Sequence, residues 1–351
     1  MTPAELSRTV RHAVCRAVAD AALPGPVPER VVVERSRPGG TGDYATGVAL
    51  RLARPAGRSP REVAGLLRDR LAADPGVGRA VDRIEITGPG FLNFTLARST
   101  ARDDAADLVR TVLREGPRYG HGAALAGTVV AFAPASELRA ALWTRTVVDL
   151  LRTQGATATV VETPTPTAET AETLRPVPAP PGDHLARLGP DALHWALLRP
   201  AAHDRPLLGP VPPARGAAVS ALLVQRDANP LFRTRYAHAR ARALARNAAH
   251  LGITPGYEER EDAHSDLLTA LGDHPATLEA AARLRAPDRL ARHLEHTAEA
   301  FLRCQETLSP LPLGDEKPSA AHRSRLALAA AAGAVLAGGL SLLGIDAPEH
   351  L

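Results

Sequence analysis

Three arginines, Arg235, Arg242 and Arg246, stand at i, i+7 and i+11 in the run NPLFRTRYAHARARALARNAA. On a helix that spacing sets three guanidinium groups along one side, over roughly 16 Å at 1.5 Å per residue. Such a row matches the phosphates of a polyanion, and it is equally the solvated face of an arginine-rich protein. In FLNFTL, Phe91 and Asn93 alternate with Leu92 and Phe94, so a ring and an amide share one strand face. That pair can stack on a base and read its edge, unless a helix covers the face. His293, His296 and Glu299 share a helix face, yet no further strong ligand is fixed beside them, so no metal is expected. The motifs GxSxG, HExxH and GxGxxG are absent, which leaves hydrolase, metalloprotease and dinucleotide readings without a foothold.

Composition narrows the chemistry further. Of the 42 Lys and Arg residues in 351, the only lysine is Lys317, in the polar stretch GDEKPS. A P-loop or a Schiff-base enzyme would have to use that one side chain. Cys15 and Cys304 are the two cysteines, too few and too far apart for a disulfide framework or a zinc ribbon. The start, MTPAELSRTVRHAV, carries charge throughout and has no apolar h-region, so a cytoplasmic protein is expected. Leu326 to Ile345 is uncharged but rich in Ala and Gly; it reads as a buried helix ending at glycine, with no membrane partner. With 45% hydrophobic residues but 3% aromatics, the core must be built from Ala, Leu and Val.

The elements that must hold these residues can be followed along the chain. Thr2-Pro3-Ala4-Glu5 and Ser59-Pro60-Arg61-Glu62 are capping boxes that open helices. Val31 to Val33 reads as a strand, as do Val48, Leu50 and Leu52 by alternation, Ile84 with Ile86, and FLNFTL after Gly88-Pro89-Gly90. An α+β domain is expected over 1–116. From Thr128 to Val161 the pattern is strand, a helix opened by Ser136 and closed at Gly155, and strand, a single βαβ unit over 117–162 that must lean on neighbours. A Pro/Thr/Ala linker with nothing to pack covers 163–185, and a second proline-rich break covers 206–213. Over 186–351 the period near 3.6 implies an antiparallel helical bundle. Its helices start at Gly189-Pro190-Asp191 and Asn229-Pro230, then run Asp266–Gly272, Thr277–Leu284, Pro287–Leu308 and Ser319–Leu343.

Taken together, these segments resemble the arginyl-tRNA synthetase family. GDYATGVALRLA, GRSPREVAGLL and GPGFLNFTL resemble its N-terminal additional domain, with Gly47 where that family has Asn. LGPDALHWALL, NPLFRTRYAHARA and RLALAAAAGAVLAGGLSLLGIDAPEHL resemble its anticodon-binding bundle, here reading Asp191-Ala192-Leu193-His194. The resemblance implies tRNA contacts from Arg233, Arg235, Tyr236, His238, Arg240, Arg242 and Arg246 in the bundle. It implies others from Tyr44, Phe91 and Asn93 in the N-terminal domain.

The middle departs from that family. Aligned through Leu138-Arg139, the positions of its His-x-Gly-His ATP signature hold Pro134, Ala135, Ser136 and Glu137. A glutamate there would repel a triphosphate that imidazoles would stabilise. The expectation is a truncated, catalytically dead relative with no catalytic residues and no cofactor. It would bind tRNA, with an arginine acceptor implied. The alternatives are residual ATP-dependent arginine–tRNA ligation, or docking on a full-length synthetase.

Overall fold

A computed structural model describes residues 3–24, 27–28, 30–36, 41–96, 98–161, 171–208, 221–258 and 264–351. Thr2 of the first capping box, residues 162–170 of the linker and 209–213 of the second proline-rich break lie outside the described residues. Contacts divide the chain into Met1–Asp107 and Leu108–Leu351.

The first unit is a four-stranded antiparallel sheet carrying helices. Its strands are β1 (Glu34–Arg35), β2 (Tyr44–Thr46), β3 (Val81–Thr87) and β4 (Phe91–Leu96), in the order β1-β2-β4-β3. In register, Tyr44 faces Phe94, and Ala45 faces Asn93. The helices α1 (Pro3–Ala19), α2 (Val48–Ala56) and α3 (Pro60–Ala72) bury Leu6, Val10, Val14, Val63, Leu67 and Leu71 against Leu92 and Phe94. Ser59 caps α3 reciprocally with Glu62, with Pro60 at the first turn, as the capping box requires. A short helix, α4 (Pro75–Ala80), leads into β3.

Two expected strands are corrected here. Val48, Leu50 and Leu52 lie on α2, because Ala49 and Ala53 complete a helical apolar stripe; Val48, Ala49, Leu52 and Ala53 are its buried residues. Val31 to Val33 runs beside β2 without joining the ladder. Hydroxyls hold it instead, with Ser7 donating to the Val31 carbonyl and Thr46 to that of Val32 at 2.7 Å. The ladder begins only at Glu34.

The helix α5 (Arg98–Glu115) enters the second unit, where a 3-10 turn, Gly116–Arg118, precedes the βαβ element. There β5 (Val129–Phe132) and β6 (Thr157–Val160) pair in parallel, Val129 opposite Thr157, joined by α6 (Leu138–Thr153). Glu137 caps α6 rather than Ser136, since its carboxylate reaches the N–H groups of Arg139 and Ala140. The proline segment, expected to have nothing to pack, is tied down over its described part. Glu172 bridges to Phe132 as a third extended residue beside β5, and Val177 donates to the Ala202 carbonyl at 2.7 Å. Backbone N–H and C=O groups survive in such a stretch between its prolines, and they find partners.

Then come α7 (His184–Leu198), α8 (Pro230–His250), α9 (Ser265–Arg283), α10 (Pro287–Thr307) and α11 (Ala320–Leu342). In α7 the helix breaks at Gly189, whose φ is 70°, so the part carrying Asp191 starts afresh after it. The two helices expected on either side of Pro275 are one, α9; its packing against α10 outweighs the missing proline N–H. The helix α11 is long and apolar enough to cross a membrane, and most of it is buried in the bundle. A Cβ at Gly338 would collide with the Pro117 carbonyl oxygen, and one at Gly333 would sit 3.1 Å from Ala241 of α8. The small residues are what let α11 lie in the centre.

Candidate nucleic-acid interface

The helix α8 presents the arginines. Asn229 caps it, its side-chain oxygen accepting from the Leu231 N–H, while its amide nitrogen donates to the carbonyls of Leu222 and Val224. Leu231, Thr234, Ala237, His238, Ala241 and Leu244 face inward. Tyr236 is 41% exposed and stacks on Phe232 with ring centroids 5.7 Å apart. A groove beside them is lined by Asp191, Gln225, Asn229, Phe232, Arg235 and Leu351.

The row of three converges as its spacing predicts, but onto carboxylates of this same chain. Arg235 pairs with Asp191 at 3.3 Å and Asp346 at 4.0 Å. Arg242 pairs with Glu349 at 2.6 Å, and Arg246 lies 3.8 Å from the same carboxylate while donating to the Glu349 carbonyl at 3.2 Å. Hydrogen bonding from Arg242 holds the Glu349 carboxyl below its ordinary range. Arg240 faces α10, donating to Gln305 at 3.1 Å. Arg233 is half-buried near the start of α8. His238 is buried, with Nδ1 2.9 Å from the Pro348 carbonyl, and burial lowers its pKa. Sequence reasoning missed Asp191, His194, Asp346 and Glu349. Their types in GPDALH and GIDAPEH were visible, but the partners stand far off in sequence, Arg235 44 residues from Asp191 and Arg242 107 residues from Glu349.

In the first unit the paired residues part company. Phe91 is 39% exposed, its ring lying over Gly47, where a Cβ would come within 3.2 Å. Asn93 is 6% exposed, and its amide nitrogen donates to the Thr87 hydroxyl at 2.7 Å. Tyr44 is half-buried against the core.

At the βαβ element, Pro134 and Ser136 are exposed, while Ala135 and Glu137 are partly covered. The Glu137 carboxylate accepts from three backbone N–H groups: Arg139 at 3.0 Å, Ala140 at 2.7 Å and Ala179 at 2.9 Å. A helix N-terminus is a ready anion site, and here a glutamate occupies it. Arg139, 0% exposed, donates to the carbonyls of Val177, Leu197, Pro200, Ala201 and Asp204 at 2.7 to 2.9 Å. It lies over the Trp143 ring at 5.1 Å. Arg285, bound through both nitrogen ends of its fork to Glu172, covers Phe132 at the end of β5.

His293 stacks on buried His274, ring centroids 5.2 Å apart, and Tyr119 also stacks on His274, at 5.9 Å. Burial pushes His293 down to about 4 and His274 well below the ordinary range. His296 is exposed. Among the described residues, no three His, Cys, Asp or Glu side chains form a group that could hold a metal ion.

Two families match this sequence: the one described as DALR anticodon binding domain, over residues 234–351, and the one described as Arginyl tRNA synthetase N terminal domain, over 7–96. An arginine–tRNA ligase of Frankia alni is 28% identical over an alignment of 562 residues that spans 100% of both chains. This chain has 351 residues, so the surplus positions fall opposite gaps in it. The arginyl-tRNA synthetase of Thermus thermophilus superposes with a TM-score of 0.65 at 14% identity, covering 99% of this chain and all of that one. That of Plasmodium falciparum does so with 0.64 at 9%, covering 99% of each. At such identities the likeness is one of fold.

Proposed function

We propose, for a chain that belongs to the arginyl-tRNA synthetase family, a truncated form that binds tRNA and does not activate an amino acid. The bundle grips the anticodon stem, with Arg235, Arg240 and Arg242 on phosphates and Tyr236 available for stacking on an unpaired base. Arg233, His238 and Arg246 flank that surface. The N-terminal sheet contributes Phe91 and, beneath it, Tyr44 and Asn93. Arginine acceptors are the tRNAs implied. Phosphate contacts dominate affinity, which therefore falls with salt.

The observation that carries the inactive half of this reading is Glu137. Its carboxylate takes the backbone N–H groups at the start of α6, the place where a triphosphate would otherwise find them. A negative charge there also opposes an incoming phosphate. Support comes from the segment 172–179, which lies on the end of β5 and on Glu137.

Filter binding across a salt series tests the tRNA half, with duplex DNA as competitor. A preference for tRNA is expected, with an affinity whose logarithm falls linearly with that of salt; equal binding to both nucleic acids overturns the reading. Arginine-dependent ATP–pyrophosphate exchange tests the other half. No exchange is expected at high protein concentration, and any tRNA-stimulated exchange overturns it.

A further inference from the structure

Beyond α11 the chain turns back along α8, and its backbone is anchored by Asp191, His194 and His238 as well as by Arg246 of the arginine row. Ile345 is buried. His194 binds the Gly344 carbonyl at 2.8 Å, Asp191 accepts from the Asp346 N–H at 3.0 Å, and His238 meets the Pro348 carbonyl. This path leaves the carboxylates of Asp346 and Glu349 on Arg235, Arg242 and Arg246.

We propose that residues 344–350 form an acidic strap that competes with tRNA for the arginines of α8, so that the phosphate backbone must displace Glu349 before it reaches Arg242 and Arg246. The proposal rests on the tRNA-binding reading above. Its physical basis is the difference between anchors and occupants. The anchors are backbone hydrogen bonds to α7 and α8, and they survive when a side chain swings away. The occupant is one exposed carboxylate shared between two guanidinium groups. Exposed ion pairs of this kind exchange at little cost, and a phosphate offers the same geometry to the guanidinium fork. Arg235 differs, because Asp191 stays with it after Asp346 leaves. The exchange therefore centres on Arg242, since Arg246 also donates to the Glu349 carbonyl.

The test uses the full chain and three forms of it: the wild type, Glu349→Gln, and Asp315→Asn. Asp315 is exposed, and its substitution makes the same change in net charge away from α8. Filter binding of total tRNA across a salt series is the first readout. For Glu349→Gln, binding about two- to fivefold tighter is expected. Its log–log salt slope steepens by about one, because no carboxylate is left to recapture a counterion. Asp315→Asn stays at the wild-type slope. Adding Arg242→Gln to Glu349→Gln removes the gain. Wild type that binds tRNA while Glu349→Gln binds equally or more weakly overturns the strap and leaves the tRNA reading standing, and so does an equal gain from Asp315→Asn. If none of the proteins binds tRNA, the tRNA reading falls. Elution from a heparin column then decides the strap separately: Glu349→Gln eluting at higher salt than Asp315→Asn supports it, and co-elution overturns it.

Discussion

Arg139 and Arg242 are both held by oxygen, and the two regions treat the same side chain in opposite ways. Under the βαβ element, Arg139 is sealed from water and all its nitrogens are used on carbonyls from the segments 177 and 197–204. On α8, Arg242 lies exposed against a single carboxylate. The first arrangement is permanent, because removing the guanidinium strands several buried carbonyls at once. The second can be exchanged, since water or a phosphate replaces the carboxylate at little cost. Charge count alone, in a chain with 42 Lys and Arg, does not separate the two uses. Burial and the kind of acceptor do.

The largest effect expected follows from the sealed side. Arg139→Ala should lower the unfolding free energy by about 3 kcal/mol or more, measured by urea titration. Arg139→Lys should recover little of it, because an ammonium has three donors and cannot match a planar fork serving five acceptors. Full recovery by lysine would break the comparison.

Acid should act next, and on buried imidazoles rather than on the surface pairs. His274 and His293 face one another, with His121, His296 and Tyr119 near them. Their folded pKa values lie below the ordinary 6.5, so the unfolded chain binds more protons than the folded one through that window. Stability is complete above pH 6.5 and falls as the pH drops toward about 4, the value to which His293 is pushed. The slope is up to about 1.4 kcal/mol per pH unit for each proton. Urea midpoints at pH 7.5 and 5 check this, and His293→Phe, whose ring keeps the stack but does not titrate, should flatten the dependence.

On the exchangeable side, Arg242→Gln should leave the urea midpoint unchanged while weakening tRNA binding about three- to tenfold and lowering the salt slope by about one. A loss of stability without a change of slope would place Arg242 with Arg139. Smallest of all, Arg303→Ala breaks an exposed 3.8 Å pair with Asp266 and should shift stability by no more than about 0.5 kcal/mol.

Local signals in the sequence carried far. Ser59 and Glu62 announced α3, and the strand–helix–strand run closing at Gly155 announced β5, α6 and β6, because caps and turns act within a few residues. The run from Val48 to Leu52 misled, since five residues with apolar alternation fit a strand until Ala49 and Ala53 are counted as apolar too. The arginine row was legible as a row; its partners were not. Glu349 and Asp191 reach α8 only through the packing of α7 and α11, and no periodicity reports that. Asn93 shows the same limit: strand alternation placed it beside Phe91, yet the Thr87 hydroxyl, brought near by the hairpin, engages its amide.

The double attachment of Glu137 bears on how such a chain could change course. One of its carboxylate oxygens serves both the start of α6 and the N–H of Ala179, so the residue ties down a separate segment as well as a helix start. A histidine at 137 would release Ala179 and the start of α6, while the segment around Glu172 would still lie beside β5. Substitution at this one position would thus loosen a helix start and a separate segment together.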